Sequence, residues 1–160
     1  MQNQFTFFWK GPLSNWVTSP FTVNGIKFNC GEQYMMFTKA ALFEDLEMMA
    51  EIMSTTNPRS QKAFGRKVQN YSDDVWLPIC QDVMVAGLYE KFRQNDLHRE
   101  FLLNTGDTEI VEASPEDKLW GVGLAEEDPR ILDKSKWLGK NYLGIVLMRV
   151  RDKLRQDEDS

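Results

Sequence analysis

Two side chains of opposite charge, Glu32 and Lys39, stand seven positions apart in the stretch from Cys30 to Phe43, Cys-Gly-Glu-Gln-Tyr-Met-Met-Phe-Thr-Lys-Ala-Ala-Leu-Phe. A helix advances about 100° per residue, so seven steps return a side chain to within about 20° of its starting direction, two turns along. One face would then carry a carboxylate, the apolar Met36 and an amine, with Tyr34, Phe37 and Ala41 covering the flanks. A desolvated amine is a nucleophile and a nearby carboxylate moves protons for it, so this pair can do covalent chemistry. The same pattern also describes the charged edge of an ordinary amphipathic helix, although surface ion pairs are more usually spaced three or four apart. Glu32 falls in the first turn of the predicted helix, where the dipole favours an ionised acid.

Other chemistries find little to work with. The only histidine, His98, lies in the polar run Asp96-Leu-His-Arg-Glu100 and is expected on an exposed helix surface. Zinc sites and histidine triads lack their ligands, so neither a metal nor a cofactor is expected. The two cysteines, Cys30 and Cys80, read as reduced thiols. A net charge of −5 disfavours a protein that holds nucleic acid chiefly through a broadly basic surface, while leaving room for a local basic patch. The N-terminus has no basic-then-apolar signal and no run is long enough for a membrane span, so the expected location is cytoplasmic, away from membranes.

The elements that must position the pair follow from turn and cap chemistry. Phe5–Trp9 reads as a short strand closed by Lys10-Gly11-Pro12. Phe21–Val23 and Ile26–Phe28 flank Asn24-Gly25, the signature of a type I′ hairpin. Glu44–Met53 is a second helix, and Asn57-Pro58 caps a third. Ser72-Asp73-Asp74 opens a longer one with Trp76, Ile79, Val83, Gly87 and Phe92 as its stripe, and residues 95–104 form another. Thr108–Glu112 is a strand, 125–140 a long surface loop, and Asn141 begins a last helix lined by Leu143, Val146, Leu147, Val150 and Leu154. The expectation is one α+β domain over residues 1–160, mainly α-helical, with a small N-terminal β-hairpin or sheet packed against a helical bundle and a polar tail at 157–160.

Three further groups could serve the pair. Gly139-Lys140-Asn141 joins backbone donors, a cation and a helix start, which suits phosphate. Trp120, beside Gly121-Val122-Gly123 in a stretch without periodicity, offers a flat wall for a base, and Asp117 a carboxylate at the same mouth. Gly121-Val122-Gly123 is not a dinucleotide fingerprint, because the third glycine position is Glu126.

The ordered elements Leu13-Ser14-Asn15-Trp16, Gly31-Glu32-Gln33-Tyr34 with Lys39, Gly65-Arg66, Trp76, Asp117-Lys118-Leu119-Trp120-Gly121-Val122-Gly123 and Gly139-Lys140-Asn141-Tyr142-Leu143-Gly144 resemble the NADAR, or YbiA-like, family from about Phe7 to Leu154. Several members carry Ser-Glu-His where this chain has Gly31-Glu32-Gln33, which removes any histidine role there and keeps the acid. The resemblance implies an N-glycosidase acting on a ribosyl carbon joined to an exocyclic amino nitrogen. Its substrates would be phosphoribosylamino-pyrimidine intermediates of riboflavin synthesis or ADP-ribose attached to guanine, the latter presented on DNA. It also implies Glu32, Lys39 and Asp117 as catalytic groups, Arg66 and Lys140 on phosphate, Trp120 and Trp76 on the base, and Asn15, Trp16, Tyr34, Gly121 and Asn141 lining the site. Lys39 would form a Schiff base with the opened sugar; alternatively Glu32 or Asp117 would activate water for direct hydrolysis. A binding module for ADP-ribose without turnover, or a scaffold protein, are the readings from other classes.

Overall fold

The computed structural model describes residues 4–159. Among them are six α-helices and two separate two-stranded sheets, the mainly helical α+β class that was expected. Two compact units can be distinguished, one of residues 15–96 and one joining the chain up to Ser14 with the chain from Leu97 onward.

The 15–96 unit begins with β2 (Phe21–Val23) and β3 (Ile26–Phe28), paired antiparallel with Phe21 opposite Phe28. Asn24 and Gly25 both take positive φ, 51° and 83°, as a type I′ turn demands. Helix α1 follows at Gly31–Leu42, flanked by Cys30 and Phe43 as its caps. Cys30 gives no side-chain cap. Instead the Glu32 N–H donates to the Asn15 carbonyl at 2.9 Å, which ties the helix start to the loop before the hairpin.

Gln33 is buried and knits this corner together: its Oε1 accepts from the Asn29 N–H and its Nε2 donates to the carbonyls of Ile52 and Thr55. The Gln33 amide thus joins the start of α1 to the backbone on either side of it. Helix α2 (Leu46–Met53) is capped by Asp45, and α3 (Pro58–Gly65) by Asn57, whose Oδ1 accepts from Arg59 and Ser60 N–H, as Asn-Pro foretells.

Helix α4 (Asp73–Gln94) buries Trp76, Cys80, Met84, Leu88 and Phe92, a strict four-residue step. The predicted stripe holds at Trp76, Gly87 and Phe92 and fails at two positions, with Ile79 exposed and Val83 half-buried. Gly87 stays on the buried side because a Cβ there would overlap the Tyr34 ring. Cys30 and Cys80 are free, buried thiols.

Lys91, on the same buried face of α4, was not singled out by the sequence and is fully inaccessible. Burial brings its amine down from 10.5 to about 7, against a smaller opposing pull from Cys30. Between those values the unfolded chain binds more protons than the folded one, so stability rises with pH. Cys30, pushed up to about 11 by burial, opposes this only above its ordinary value of 9.0. From pH 7 to 9 the parent protein should therefore gain about 2 kcal/mol relative to Lys91→Met, read from urea unfolding midpoints at each pH. Parallel pH profiles for the two proteins would contradict this.

In the other unit, β1 (Phe5–Phe8) pairs in parallel with β4 (Glu109–Glu112), Phe5 opposite Glu109. The first strand thus joins a partner a hundred residues away and not the hairpin beside it in sequence. Between them, α5 (Asp96–Leu103) carries a half-buried His98. Helix α6 (Tyr142–Glu158) lies on β4 so closely that a Cβ at Gly144 would overlap the Ile110 carbonyl. It buries all five residues of its predicted stripe, and it continues through Asp157 and Glu158, so those positions are a last helical turn and not a frayed tail. Ser160 lies outside the described residues.

The 125–140 segment is also more ordered than a long loop. Asp128 and Asp133 cap two short 3-10 turns, Pro129–Leu132 and Lys134–Lys136, and Ile131 joins Val111, Ala113, Val122 and Leu124 in the core. No helix among the described residues is long and apolar enough to cross a membrane.

Candidate active site

Helix α1 is buried along its first two turns, and both members of the acid–amine pair project from it. Glu32 is 4% exposed, and its Oε1 accepts the Trp16 indole N–H at 2.9 Å. Trp16 itself is 40% exposed, which leaves part of a large aromatic surface open beside the acid.

The amine of Lys39 donates to the Gly65 carbonyl at 2.9 Å and stands 4.5 Å from the centre of the Tyr71 ring. Gly65 reaches this position because it has no side chain: a Cβ would overlap Met36, the residue that separates Glu32 from Lys39 on α1. Burial lowers the proton affinity of Lys39, and Glu32 and Asp73 pull it up while Arg66 pushes it down. The net direction is down. Desolvation outweighs the attraction of the nearby carboxylate, which is the balance an amine nucleophile needs.

Asn15 sits behind the helix start. It is 6% exposed, its side-chain oxygen has no hydrogen-bond partner, and it lies against Gly31, where a Cβ would come within 2.5 Å of it. A buried acceptor left unsatisfied is costly unless a ligand group or water supplies a proton. Arg66, the last cap of α3, is exposed and near enough to Lys39 to affect it.

Two further predicted residues of this unit are buried. Tyr34 is 5% exposed, donates its hydroxyl to the Val83 carbonyl at 2.9 Å and meets Phe28 edge-on. Trp76 is 4% exposed within the buried stripe of α4.

The residues predicted around the second glycine-rich stretch form a tightly bonded knot in the other unit. Asp117 Oδ1 accepts from the N–H groups of Leu119 and Trp120 at 3.0 and 2.8 Å, so this oxygen of the carboxylate closes a turn. Trp120 is buried, edge-on to Tyr142. Gly121 is hemmed in by the Asp117 and Glu112 carbonyls and the Ser114 side chain, and its own carbonyl accepts from Asn141 N–H.

Asn141 is buried and bonded at both ends of its side-chain amide. Its Oδ1 accepts from Glu112 N–H and its Nδ2 donates to the Ile110 carbonyl, using the whole amide to fasten β4. The N–H groups of Asn141, Tyr142 and Leu143 donate to the carbonyls of Gly121, Leu119 and Trp120, so the donors of this helix start are taken and a phosphate cradle there is not open. Only the Lys140 side chain, exposed, remains a candidate for an anion. Among the described residues no group of three or more His, Cys, Asp or Glu could hold a metal ion.

Sequence could not have singled out Tyr71 or the Gly65 carbonyl, because the approach of α3 and of the start of α4 brings them to Lys39.

The fold and this face define a small α+β protein with an acid and a desolvated amine on one buried helix. The chain belongs to the NADAR family: the NADAR domain matches residues 7–155. N-glycosidase R617 of Acanthamoeba polyphaga mimivirus is 42% identical over 125 residues, 78% of this chain and 74% of that protein. Protein irg-1 of Caenorhabditis elegans is 42% identical over 131 residues, 81% of this chain, and the chain spans 62% of that protein's length. The NMR structure of Escherichia coli YbiA, a protein named an N-glycosidase, superimposes with a TM-score of 0.80 at 28% identity, covering 99% of this chain and 89% of that one.

Proposed function

We propose that this protein is an N-glycosidase that hydrolyses the bond between ribose C1 and an exocyclic amino nitrogen. The observation that carries the reading is the Lys39 amine, shifted toward its neutral form by burial, on the same helix face as Glu32. The names of R617 and YbiA support the reaction class.

In this reading the exocyclic nitrogen's lone pair opens the sugar ring to an imine, and a proton goes to the ring oxygen. Neutral Lys39 adds to C1, the base leaves as its free amine with a proton delivered by Glu32, and a Schiff base joins Nζ to C1. Water then adds at C1, Glu32 takes its proton back, and sugar and amine part. Asn15 Oδ1 is an acceptor for a sugar hydroxyl, and Trp16, the exposed aromatic beside the acid, replaces the buried Trp120 and Trp76 as the wall for the base. Direct attack of a water activated by Glu32, with Lys39 orienting ribose, is the competing mechanism.

Charge supports a phosphorylated substrate. From Ile52 to Ser72 the chain has four cations, Arg59, Lys62, Arg66 and Lys67, and no carboxylate, although its overall charge is −5. This basic run includes α3 and leads out of it next to Lys39, so ADP-ribosyl-guanine on DNA and a phosphoribosylamino-pyrimidine both suit it.

The test is mass spectrometry of products from both substrates in parallel. Free ADP-ribose with restored guanine, or ribose 5-phosphate with the free aminopyrimidine, is expected from at least one. Saturable binding of either compound with no product over hours would make the protein a nucleotide-binding module instead.

A further inference from the structure

Tyr71 is an aromatic residue at the mouth of α4 that none of the roles above uses. Its ring lies against one helical step of α1: the Lys39 ammonium is 4.5 Å from its centre on one side, and the Phe43 ring, four residues further along α1, is 5.3 Å away. Its hydroxyl donates to Asp73 Oδ1 at 2.6 Å, in the first turn of α4. The ring is thus pinned at its edge by a charged hydrogen bond and against Phe43, while Tyr71 stays 37% exposed.

We propose that Tyr71 is a positioning residue for Lys39, its ring holding positive charge at Nζ and fixing where that atom stands. The negative face of an aromatic ring attracts a cation, and the attraction vanishes when the nitrogen is neutral. Resting on the Lys39 reading above, the charge at Nζ alternates: ammonium at rest, neutral amine at attack, cationic iminium once the C1–N bond to the base has broken and the bond to Nζ has formed. The ring favours the first and last of these. Burial does the opposite and supplies the neutral state, so the two effects together keep the amine within reach of both forms.

The groups facing Nζ are Glu32 from α1, the Gly65 carbonyl and Arg66 from the end of α3, and Tyr71 with Asp73 from the start of α4. Replacing Tyr71 by an apolar residue removes both the ring and the hydroxyl bond to Asp73, and Tyr71→Phe removes the hydroxyl alone, so the difference between the two variants isolates the ring. The proton affinity of Lys39 should then fall.

The experiment follows Lys39 directly, by NMR titration of the lysine side-chain carbons in substrate-free parent, Tyr71→Phe and Tyr71→Leu proteins, with Lys39→Ala to assign the signal. The Phe variant keeps the ring, so its Lys39 should titrate as in the parent, whereas the Leu variant should titrate at lower pH. With substrate, at a pH above the titration of Lys39 in all three proteins, where the amine is neutral in each, the Leu variant should lose about tenfold in kcat, with KM within about threefold, and the Phe variant should keep most of its rate. Should the Leu variant not fold, Tyr71→Met carries the same expectations. An unchanged or raised Lys39 titration in the ring-free variant, or a Phe variant that falls as far as the Leu variant, overturns the proposal. Absence of turnover in the parent would instead overturn the hydrolase reading, and the titration would still decide the role of Tyr71.

Discussion

Lys39→Ala should abolish turnover, with kcat reduced about a thousandfold or more, the scale on which enzymes lose rate when a covalent nucleophile is removed. Borohydride added during turnover should fix a sugar-sized mass on the parent chain and none on the variant. Lys39→Arg should be equally inactive, because a guanidinium remains protonated throughout the accessible pH range and cannot attack C1. The loss cannot be attributed to unfolding: Lys39 gives up one hydrogen bond to Gly65 and one ring contact to Tyr71 at a half-buried position, a change of about 1 kcal/mol that a melting curve will register separately. Full turnover in Lys39→Ala would take the amine out of the chemistry. An active parent that never yields a trapped adduct, with an inactive Lys39→Ala, would leave Lys39 to orient ribose and give the attack to water. The pH profile has a definite sign as well. The nucleophile must be neutral, so kcat/KM should rise with pH through the titration of Lys39, and burial sets that rise below the usual lysine range.

What could be read from sequence divides along the range of the interactions involved. Asn24-Gly25 fixes its hairpin and Asn57-Pro58 its helix start through contacts within a few residues, and both elements stand where local rules put them. The pairing of β1 with β4 depends on strands a hundred residues apart, about which local pattern is silent. In α4 the predicted Trp76, Gly87 and Phe92 are buried, but the apolar β-branched Ile79 and Val83 stood in for Cys80, Met84 and Lys91, which complete the buried face. Hydrophobicity alone does not distinguish those faces.

The site divides in the same way. Glu32 and Lys39 were visible because their relation is internal to one helix. The backbone bonds of Asp117 and Asn141 were not legible, because a carboxylate or amide in a glycine-rich stretch looks alike whether or not it also bonds backbone N–H and carbonyl groups, as both do here. The desolvation of Lys39 could not be read at all, since it arises from α3 and the start of α4 closing around the amine.

Glu32→Gln separates two roles that the geometry alone combines. The amide has nearly the same shape and its oxygen can still accept the Trp16 indole N–H, so the variant removes charge and proton-transfer capacity while keeping the packing. The Glu32 carboxylate raises the proton affinity of Lys39, and its loss lets that affinity fall further, leaving more neutral amine at a given pH. If Glu32 acted only as a charge beside Lys39, Glu32→Gln would therefore be faster than the parent near neutrality. As the group that protonates the leaving amine and deprotonates water, its removal should instead slow kcat by about 10²- to 10³-fold, even as the acid limb of the profile moves to lower pH. The opposite signs make the measurement decisive: a rate at or above the parent's would strip Glu32 of its proton-transfer role. Trp16→Phe provides the graded companion, because it keeps the acid and a smaller aromatic wall and removes the indole N–H at 2.9 Å. Its expected cost is about tenfold in kcat, the loss of one charge-assisted hydrogen bond that holds the carboxylate in position.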